Sequence, residues 1–229
     1  MKKVLVVLTN VTRYPGTKDA TGLWLGEATE FVEEMLKANI EVDYVSPKGG
    51  FVPLDPRSMK YADESIMQIY ETADFQKRAL ASSLSPNQVN ASDYAAIYYT
   101  GGHGVMWDFP DNKELQQIAL AIYKNNGFIS AVCHGMAGLV NIKDDNGNYL
   151  IAGKAITGFT TTEEVLAGKK SVVPFLNKEI AEQRGAHFKK QRAYSEFAVQ
   201  DGHIITGQNP FSVRAVAKLL IKSMSNHIQ

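Results

Sequence analysis

An apolar run leads directly into a cysteine at residues 128–135, which read Phe-Ile-Ser-Ala-Val-Cys-His-Gly. The first five residues are mostly apolar or β-branched and predict a buried strand, Phe128–Val132. Small residues at Ala131 and Gly135 flank Cys133, as a sharp strand-to-helix turn requires when its central side chain projects above a sheet. The next segment, Met136–Val140, can be helical. This pattern predicts a nucleophile elbow at the carboxyl end of a strand, where open α/β sheets bind their ligands.

Strand-like runs of this kind alternate with amphipathic segments along the chain. Further buried strands are predicted over Lys3–Leu8, Glu41–Val45, Ala95–Tyr99 and Ala155–Ile156. Helices are predicted where apolar residues recur every three or four positions, over Leu23–Ala38, Asn112–Asn125 and Pro174–Arg184. The alternation predicts right-handed βαβ units, and hence an α/β fold with a mostly parallel, doubly wound sheet and helices on both faces.

The C-terminal part departs from this alternation. Phe197–Val199 and His203–Thr206 flank Asp201-Gly202, a pair that favours a two-residue type I′ loop and predicts a β-hairpin. Asn209-Pro210 then supplies an N-cap and a proline at the first helical position, so a final helix is predicted up to about Met224. An antiparallel pair is therefore expected to join the parallel sheet.

The domain organisation is inferred from length and spacing. A length of 229 residues suggests one large domain, or one domain carrying an insertion, since domains average about 150 residues. More than forty residues separate two predicted strands at 51–94, whereas a crossover needs only about a dozen. This segment is predicted to contain a helix, Thr72–Leu84. We interpret it as an insertion that covers one edge of the sheet and roofs a site, within a single domain spanning residues 1–229.

The composition is that of an ordinary globular protein, with 45% hydrophobic and 21% charged residues. The 24 basic residues balance the 24 acidic ones, so no net charge attracts nucleic-acid phosphates or anionic lipid. The apolar run Val4–Leu8 is too short for a signal peptide or a membrane span. We therefore expect a cytoplasmic protein with no nucleic-acid or membrane partner.

Cys133 is the only cysteine of the sequence, which excludes an internal disulfide and a multi-cysteine zinc site. A lone cysteine is either an inert core residue or a reactive thiol. The elbow favours the reactive interpretation, because a thiol at a helix N-terminus has a lowered pKa and forms thiolate more readily. We expect Cys133 to be a nucleophile with a lowered pKa.

A second motif, Gly101-Gly102-His103-Gly104, follows the predicted strand that ends at Tyr99. Glycines there let the backbone approach a ligand closely and direct N–H groups into a site, as an oxyanion hole requires. The same glycines are also compatible with an ordinary turn. A dinucleotide fingerprint would need another glycine at the position of Trp107, so nucleotide binding is not predicted.

Three acidic residues have both a structural and a chemical interpretation. Glu27 lies at the start of a predicted helix after the first strand, where it either complements the helix dipole or lies near the carboxyl edge of the sheet. Glu163 and Glu164 follow Thr160-Thr161-Thr162, a pattern that fits a capping box equally well. No histidines stand at His-x-His or His-x3-His spacing, so neither a metal nor another cofactor is predicted.

Four motifs occur in the order of a known family. They are Gly-Gly-His-Gly at 101–104, Ala-Val-Cys-His-Gly at 131–135, Gly-Lys-Ala-Ile-Thr-Gly-Phe-Thr at 153–160 and Thr-Gly-Gln-Asn-Pro at 206–210. With them the chain resembles the ThiJ/PfpI superfamily of class I glutamine-amidotransferase-like proteins over nearly its whole length. Within that superfamily it is similar to the branch of heat-inducible chaperones and glutathione-independent glyoxalases (glyoxalase III).

The resemblance implies a flavodoxin-like sandwich in which Cys133 is the nucleophile and His134 stands beside it. It assigns Glu164 as the acidic partner of that histidine and Glu27 as the acid that contacts the thiol. Gly102, the turn after it and the His134 backbone N–H are implied to form the oxyanion side. The other residues expected to line the substrate site are Gly101, His103, Gly104 and Trp24.

Members of this branch convert methylglyoxal to lactate without glutathione, which implies a small dicarbonyl substrate, with protein deglycase activity as a further expectation. A thiolate would add to the aldehyde, and a base would then move a proton between the adjacent carbons. Either Glu27, held protonated beside the sulfur, or His134 could be that base.

Two other classes of function stay open, and both use the same cysteine. One is a chaperone or redox-responsive protein that acts on unfolded or glycated proteins and whose cysteine is oxidised. The other is a cysteine peptidase or amidase, which shares the elbow. Superfamily members are often dimers, so a homodimer is expected in each case.

Overall fold

The computed structural model describes residues 3–226. Its strands are β1 (Lys3–Val7), β2 (Val42–Val45), β3 (Tyr94–Tyr99), β4 (Phe128–Val132), β5 (Ala155–Ile156), β6 (His187–Phe188), β7 (Ala198–Asp201) and β8 (Ile204–Gly207). Six of them form a central sheet in the order β2-β1-β3-β4-β8-β7. Neighbouring strands of this sheet are parallel except for the antiparallel pair of β7 and β8. The predicted mostly parallel sheet with a C-terminal hairpin is thus confirmed.

The α-helices of the described chain are α1 (Leu25–Lys37), α2 (Glu64–Tyr70), α3 (Val105–Asp108), α4 (Lys113–Lys124), α5 (Thr161–Leu166), α6 (Asn177–Gln183) and α7 (Val213–Asn226). The three helices predicted before the hairpin are confirmed as α1, α4 and α6, each slightly shorter than its sequence pattern. The Asn209 cap is confirmed too, because its side chain accepts the Phe211 N–H. None of the helices within residues 3–226 combines the length and the apolar character that a membrane span needs.

Side chains of the central sheet alternate between two helical layers. In β1, Val4 and Val6 pack in a cluster with residues of α1 and α7, whereas Leu5 and Val7 pack on the opposite face with residues of α4. All four side chains are fully buried. One strand with period-two alternation therefore contributes to two separate cores, which is the predicted doubly wound sandwich.

The strand predicted at Ala155–Ile156 forms, but it does not join the central sheet. It pairs with β6 in a separate two-stranded sheet. The physical reason is that side chains of the β7–β8 hairpin accept hydrogen bonds from backbone N–H groups in and next to β5. The Ala155 N–H donates to the Asp201 carboxylate and the Thr157 N–H to the Thr206 hydroxyl, each at 2.8 Å. The predicted strand is thus confirmed, but it lies outside the central sheet.

The hairpin loop is shifted by one residue from the predicted one. Asp201 pairs with Ile204, so the loop consists of Gly202 and His203. Of these two residues only Gly202 has a positive φ, of 58°. A type I′ loop needs positive φ at both positions, so the predicted loop type is wrong. The glycine occupies the first loop position instead of the second.

Segment 51–94 contains more regular structure than the single helix predicted over Thr72–Leu84. It holds α2, which was not predicted, and a π-helix that follows it. The Thr72 hydroxyl accepts the Phe75 N–H, so the predicted start is right, but the π-helix ends at residue 81. The Leu84 N–H donates to the Tyr44 carbonyl and the Leu84 carbonyl accepts the Ser46 N–H, both at 2.9 Å. Leu84 therefore lies against β2, an edge strand.

The elbow after β4 has an unusual backbone. Cys133 has a φ of 57°, in the left-handed region that side chains such as cysteine rarely adopt. It begins a 3₁₀-helix, Cys133–Gly138. A Cβ at Gly135 would lie 2.3 Å from the Tyr99 carbonyl oxygen and 2.7 Å from that of Thr100. The small neighbour that the elbow requires is thus explained by the close approach of the end of β3.

Candidate active site

Three neighbouring strands, β1, β3 and β4, end at one edge of the sheet, and the segments that follow them carry the site. Glu27 lies in the first turn of α1, which follows β1. Gly101 and Gly102 follow β3, and Cys133 follows β4. Because parallel strands present their carboxyl ends together, residues far apart in the sequence meet here. A Cβ placed on Gly101 would lie 2.5 Å from Glu27 Oε2 and 3.1 Å from the Cys133 Cβ.

Cys133, His134 and Glu164 form one line of contacts. The Cys133 Sγ lies 3.4 Å from His134 Nδ1, and His134 Nε2 lies 2.7 Å from Glu164 Oε2. Each of the three residues is at most 3% exposed. A thiol, an imidazole and a carboxylate therefore stand in the order that activates a nucleophile.

Glu27 is a fully buried carboxyl group beside the thiol. Its Oε2 accepts the Gly101 N–H at 2.6 Å, and its Oε1 has no hydrogen-bond partner among the described residues. Burial raises the pKa of Glu27 to about 8, although the Cys133 thiol and the Gly101 N–H lower it. The group is therefore mostly protonated at neutral pH. The interpretation of Glu27 as a solvated acid that merely complements the helix dipole is therefore wrong.

The Cys133 thiol does not have the lowered pKa that its position predicted. Burial raises the pKa of the Cys133 thiol well above its usual value, and the His134 backbone N–H does not outweigh this effect. The helix that begins at Cys133 is a 3₁₀-helix of only six residues, so its dipole is small beside the loss of hydration. The expectation of a ready thiolate is wrong, and the thiol needs a base.

The glycine-rich turn brings the backbone of Gly102 to the site. Gly102 lies on the cavity wall with a φ of 97°, and a Cβ there would lie 2.2 Å from the Gly22 carbonyl oxygen. Among the described residues, none accepts a hydrogen bond from the Gly102 N–H. The Gly101 N–H is already used by Glu27, and Gly104 does not line the cavity. Of the three glycines in the turn, Gly102 is therefore the one that lines the cavity and has its N–H free of a partner among the described residues.

His103 lines the cavity and also contacts the carboxylate that faces His134. Its Nε2 lies 2.6 Å from Glu164 Oε1, and its Nδ1 lies 2.9 Å from Arg57 Nη2. No spacing in the sequence indicates these contacts, because the three segments involved meet only in the folded chain. Sequence reasoning therefore missed Arg57 as a residue of the site.

The same imidazoles raise the question of a metal. Potential ligand atoms of His103, His134 and Glu164 lie within 4.8 Å of one another. Both Nε2 atoms are hydrogen bonded to the carboxylate, so a metal ion would have to replace these two bonds. That the protein requires no metal stays a prediction.

The cavity over Cys133 has a volume of about 500 Å³. Trp24 lines it, as expected, together with Tyr61, Leu166 and Phe211, which are each more than half exposed. A mainly apolar wall with a few polar groups is typical of small-molecule sites. Trp24 was expected from the sequence, whereas Tyr61, Leu166 and Phe211 were not.

A second groove, of about 570 Å³, runs along the outer edge of β2. Its charged groups are paired with one another, since Asp43 contacts both Lys3 and Arg78, and Arg78 also contacts Asp74. Its lining residues include neither cysteine nor histidine. The smaller cavity over Cys133 is therefore the candidate active site.

Glu163 anchors the loops behind this cavity. Its fully buried carboxylate accepts five hydrogen bonds, from the Thr160 N–H and hydroxyl, the Tyr194 N–H, and the Gln208 and Asn209 side-chain amides. Thr160 and Glu163 form a capping box, so that interpretation holds for Glu163. Successive helical residues point about 100° apart, which is why Glu164 faces His134 instead.

Known proteins resemble this chain over nearly its full length. A model of the DJ-1/PfpI family matches residues 20–223. The glutathione-independent glyoxalase HSP31 of Saccharomyces cerevisiae is 35% identical over an alignment of 238 positions, gaps included. The alignment covers 98% of this chain and 99% of that protein. The X-ray structure of the 24 kDa rapid encystment protein of Francisella tularensis has a TM-score of 0.94 and 38% identity, covering 98% and 99% of the two chains. The crystal structure of glyoxalase III from Candida albicans has a TM-score of 0.87 and 30% identity, covering 97% of each chain.

We expect the protein to lose stability as the pH rises from about 4.5 to about 8, because of Glu27. Its pKa is raised from 4.5 to about 8 on folding, so the folded state keeps a proton that the unfolded state releases. This contribution is fully present below the unfolded pKa and is lost as the pH passes the folded one. Urea unfolding of the parent and of Glu27→Gln, whose amide stays neutral, measures it.

The free energies of unfolding of the two proteins should diverge across this pH range by an amount on the order of a few kcal/mol. Parallel stability curves from pH 4 to pH 9 would show that Glu27 is not held protonated by the fold.

Proposed function

The chain belongs to the DJ-1/PfpI family, and on that basis we propose that it is a glutathione-independent glyoxalase that converts methylglyoxal to lactate. The observation that carries this proposal is the Cys133 thiol beside two proton carriers, the His134 imidazole at 3.4 Å and the buried Glu27 carboxyl. Converting a dicarbonyl into a hydroxy acid needs a nucleophile and a group that moves a proton. The glyoxalases among its relatives support the same substrate class, a small dicarbonyl.

In the first proposed step, the thiol adds to the aldehyde carbon of methylglyoxal. His134 Nδ1 accepts the thiol proton, the sulfur bonds to the carbon, and the aldehyde oxygen takes up a proton to give a hemithioacetal. The Gly102 N–H and the His134 backbone N–H would stabilise the negative charge that develops on this oxygen. Glu164 orients the imidazole and stabilises its charged form.

The second step moves a proton between the two carbons. A base removes the hydrogen of the former aldehyde carbon, which leaves an enediol, and a proton is delivered to the neighbouring carbon to give a lactoyl thioester. Glu27 suits this transfer, because a pKa of about 8 makes both its protonated and its ionised form available near neutral pH. Glu27 is therefore the proposed shuttle, and His134 is the alternative.

The third step releases the product. Water attacks the thioester carbonyl, the carbon–sulfur bond breaks, and the sulfur regains a proton as lactate leaves. The sum of the steps is methylglyoxal plus one water giving lactic acid. Because the substrate is rearranged without net oxidation, the chain's own residues suffice for every proton and electron pair.

Four further expectations from the sequence are part of this proposal, although the reaction itself does not require them. They are a single domain with an insertion at 51–94, a homodimer, a cytoplasmic location, and action on unfolded or glycated proteins. The chaperone or redox class and the peptidase or amidase class would use the same Cys133. Product formation, rather than labelling of the thiol, therefore distinguishes the three classes.

Purified protein should form D-lactate from methylglyoxal without glutathione, and Cys133→Ala should reduce this to the background rate, because the covalent intermediate cannot form. Enzymatic determination of D-lactate measures both. Equal activity of the parent and the variant would exclude the covalent route. If neither protein produced lactate, a chaperone or peptidase function would be favoured.

Glu27→Gln should lower the turnover of methylglyoxal by about 10² to 10⁴, the usual contribution of a proton-transferring group. The amide keeps the shape of the carboxyl but cannot exchange a proton. The melting temperature near pH 5 serves as the control, since both side chains are neutral there. Near-normal turnover by a variant that melts like the parent would leave His134 as the base.

Glutamine substitutions at the two adjacent acids should have different effects. Glu164→Gln should mainly lower kcat, because an amide cannot accept an N–H on both of its terminal atoms. Glu163→Gln should mainly lower stability, because its amide would face donors in a buried site. Urea unfolding and kcat per folded molecule separate the two outcomes, and equal losses of kcat would refute the assignment of Glu164.

A further inference from the structure

We propose that Asp55, Arg57 and His103 form a positioning arm that fixes Glu164 and, through it, the proton arrangement at the Cys133 thiol. The kinetic part of this inference rests on the proposed glyoxalase function, whereas the rest follows from the contacts alone. The arm runs from the loop before α2, through the turn after β3, to α5.

The arm starts from a salt bridge that is fixed at several points. Asp55 is fully buried, and its two carboxylate oxygens accept Arg57 Nε–H at 3.0 Å and Nη2–H at 2.6 Å. The Arg57 backbone N–H donates to Asp55 Oδ1 at 2.9 Å. Nη2 also lies 2.5 Å from the Tyr14 hydroxyl oxygen, so its two hydrogens are shared among Asp55, Tyr14 and His103. A two-pronged pair of this kind fixes both the position and the plane of the guanidinium. Nη2 is thereby held in contact with His103.

This contact determines the protonation of His103. An arginine cannot accept a hydrogen bond, so a proton on His103 Nδ1, 2.9 Å from Nη2, would face a donor, and Nδ1 is therefore the nitrogen without a proton. The ring proton is then on Nε2, which donates to Glu164 Oε1 at 2.6 Å. Burial and the neighbouring His134 lower the pKa of His103 to about 4, so the ring is neutral at physiological pH. Both ring nitrogens are occupied, which makes His103 a positioning residue rather than a catalytic one.

Glu164 transmits this arrangement to His134. Burial alone would raise the pKa of Glu164, but His134 and His103 outweigh it and hold the pKa well below its usual value. An ionised carboxylate only accepts, so His134 Nε2, 2.7 Å from Oε2, carries a proton. His134 Nδ1 is then the nitrogen that can accept the Cys133 thiol proton, at 3.4 Å. The arm therefore supports the one tautomer of His134 that can act as a base.

Removing the second donor to Glu164 has a definite consequence. A buried carboxylate with one N–H donor is more basic than the same carboxylate with two. Without His103, the coupled pair of Glu164 and His134 therefore binds an additional proton at a higher pH. A protonated His134 cannot accept the thiol proton, so the reaction would need a higher pH to reach its full rate.

Two substitutions of His103 test the arm. His103→Leu removes both nitrogens, whereas the amide of His103→Gln can accept from Arg57 and donate to Glu164. In His103→Leu we expect kcat at pH 7 to fall by about 10- to 100-fold, with little change in KM. This is the usual effect of losing a hydrogen-bond partner that lies one layer outside the reacting groups. The acidic limb of the kcat profile should move to higher pH by about one unit. In His103→Gln both quantities should stay near the parent values.

NMR separates this inference from the proposed function. The ring ¹⁵N chemical shifts of His134 report its tautomer and its titration without substrate. A titration moved to higher pH in His103→Leu, but not in His103→Gln, would support the arm even if methylglyoxal gave no lactate. Should His103→Leu fail to fold, Arg57→Lys replaces it, since a lysine keeps a cation for Asp55 but cannot present the planar fork. The same direction of shift is expected there.

Three results would overturn the proposal. One is an unshifted His134 titration in a folded His103→Leu or, if that variant does not fold, in Arg57→Lys. Another is a raised KM with an unchanged pH profile, which would show that His103 contacts substrate instead. The last is a folded His103→Gln that is as impaired as His103→Leu.

Discussion

Each oxygen of one buried carboxylate accepts an N–H from a different imidazole, and the chemistry of the site depends on this pair of hydrogen bonds. The carboxylate is that of Glu164, and its partners are His103 and His134. Neither ring can rotate or change tautomer without leaving part of a buried charge unpaired, which is costly in the protein interior. The fold supports the arrangement by bringing α5, the turn after β3 and the elbow after β4 to the same edge of the sheet.

Two acids near the thiol, Glu164 and Glu27, lie in different surroundings, and these surroundings decide their protonation. Glu164 receives an N–H on each oxygen from the two imidazoles, and His134 and His103 hold its pKa well below the usual value. Glu27 is as deeply buried but receives a single backbone N–H, so its pKa rises to about 8 and it keeps a proton. Environment rather than residue type thus separates a permanent anion from a group that can exchange a proton near neutral pH.

The parts of the fold that were predicted correctly are those that local sequence determines. β4 has the predicted bounds because a short apolar run ends in small residues and a turn, and Gly135 is small because of the adjacent backbone. The partner of β5 and the contact between His103 and Glu164 could not be predicted, because they join segments that meet only after folding. The prediction of a lowered thiol pKa was wrong for a related reason. The position of Cys133 in the motif indicates that a helix dipole lowers its pKa, but burial in the folded chain raises the pKa by more.

Each outer strand of the central sheet has another segment of residues 3–226 lying beside it. At β2, Leu84 takes the hydrogen-bonding position of a further strand. At β7, the Asp201 carboxylate accepts the Ala155 N–H, and β5 lies against the strand. Open strand edges are the usual route by which sheets of separate molecules fuse or aggregate. At Leu84 the chain itself therefore takes up a place where the strand of a second copy would have to pair with β2.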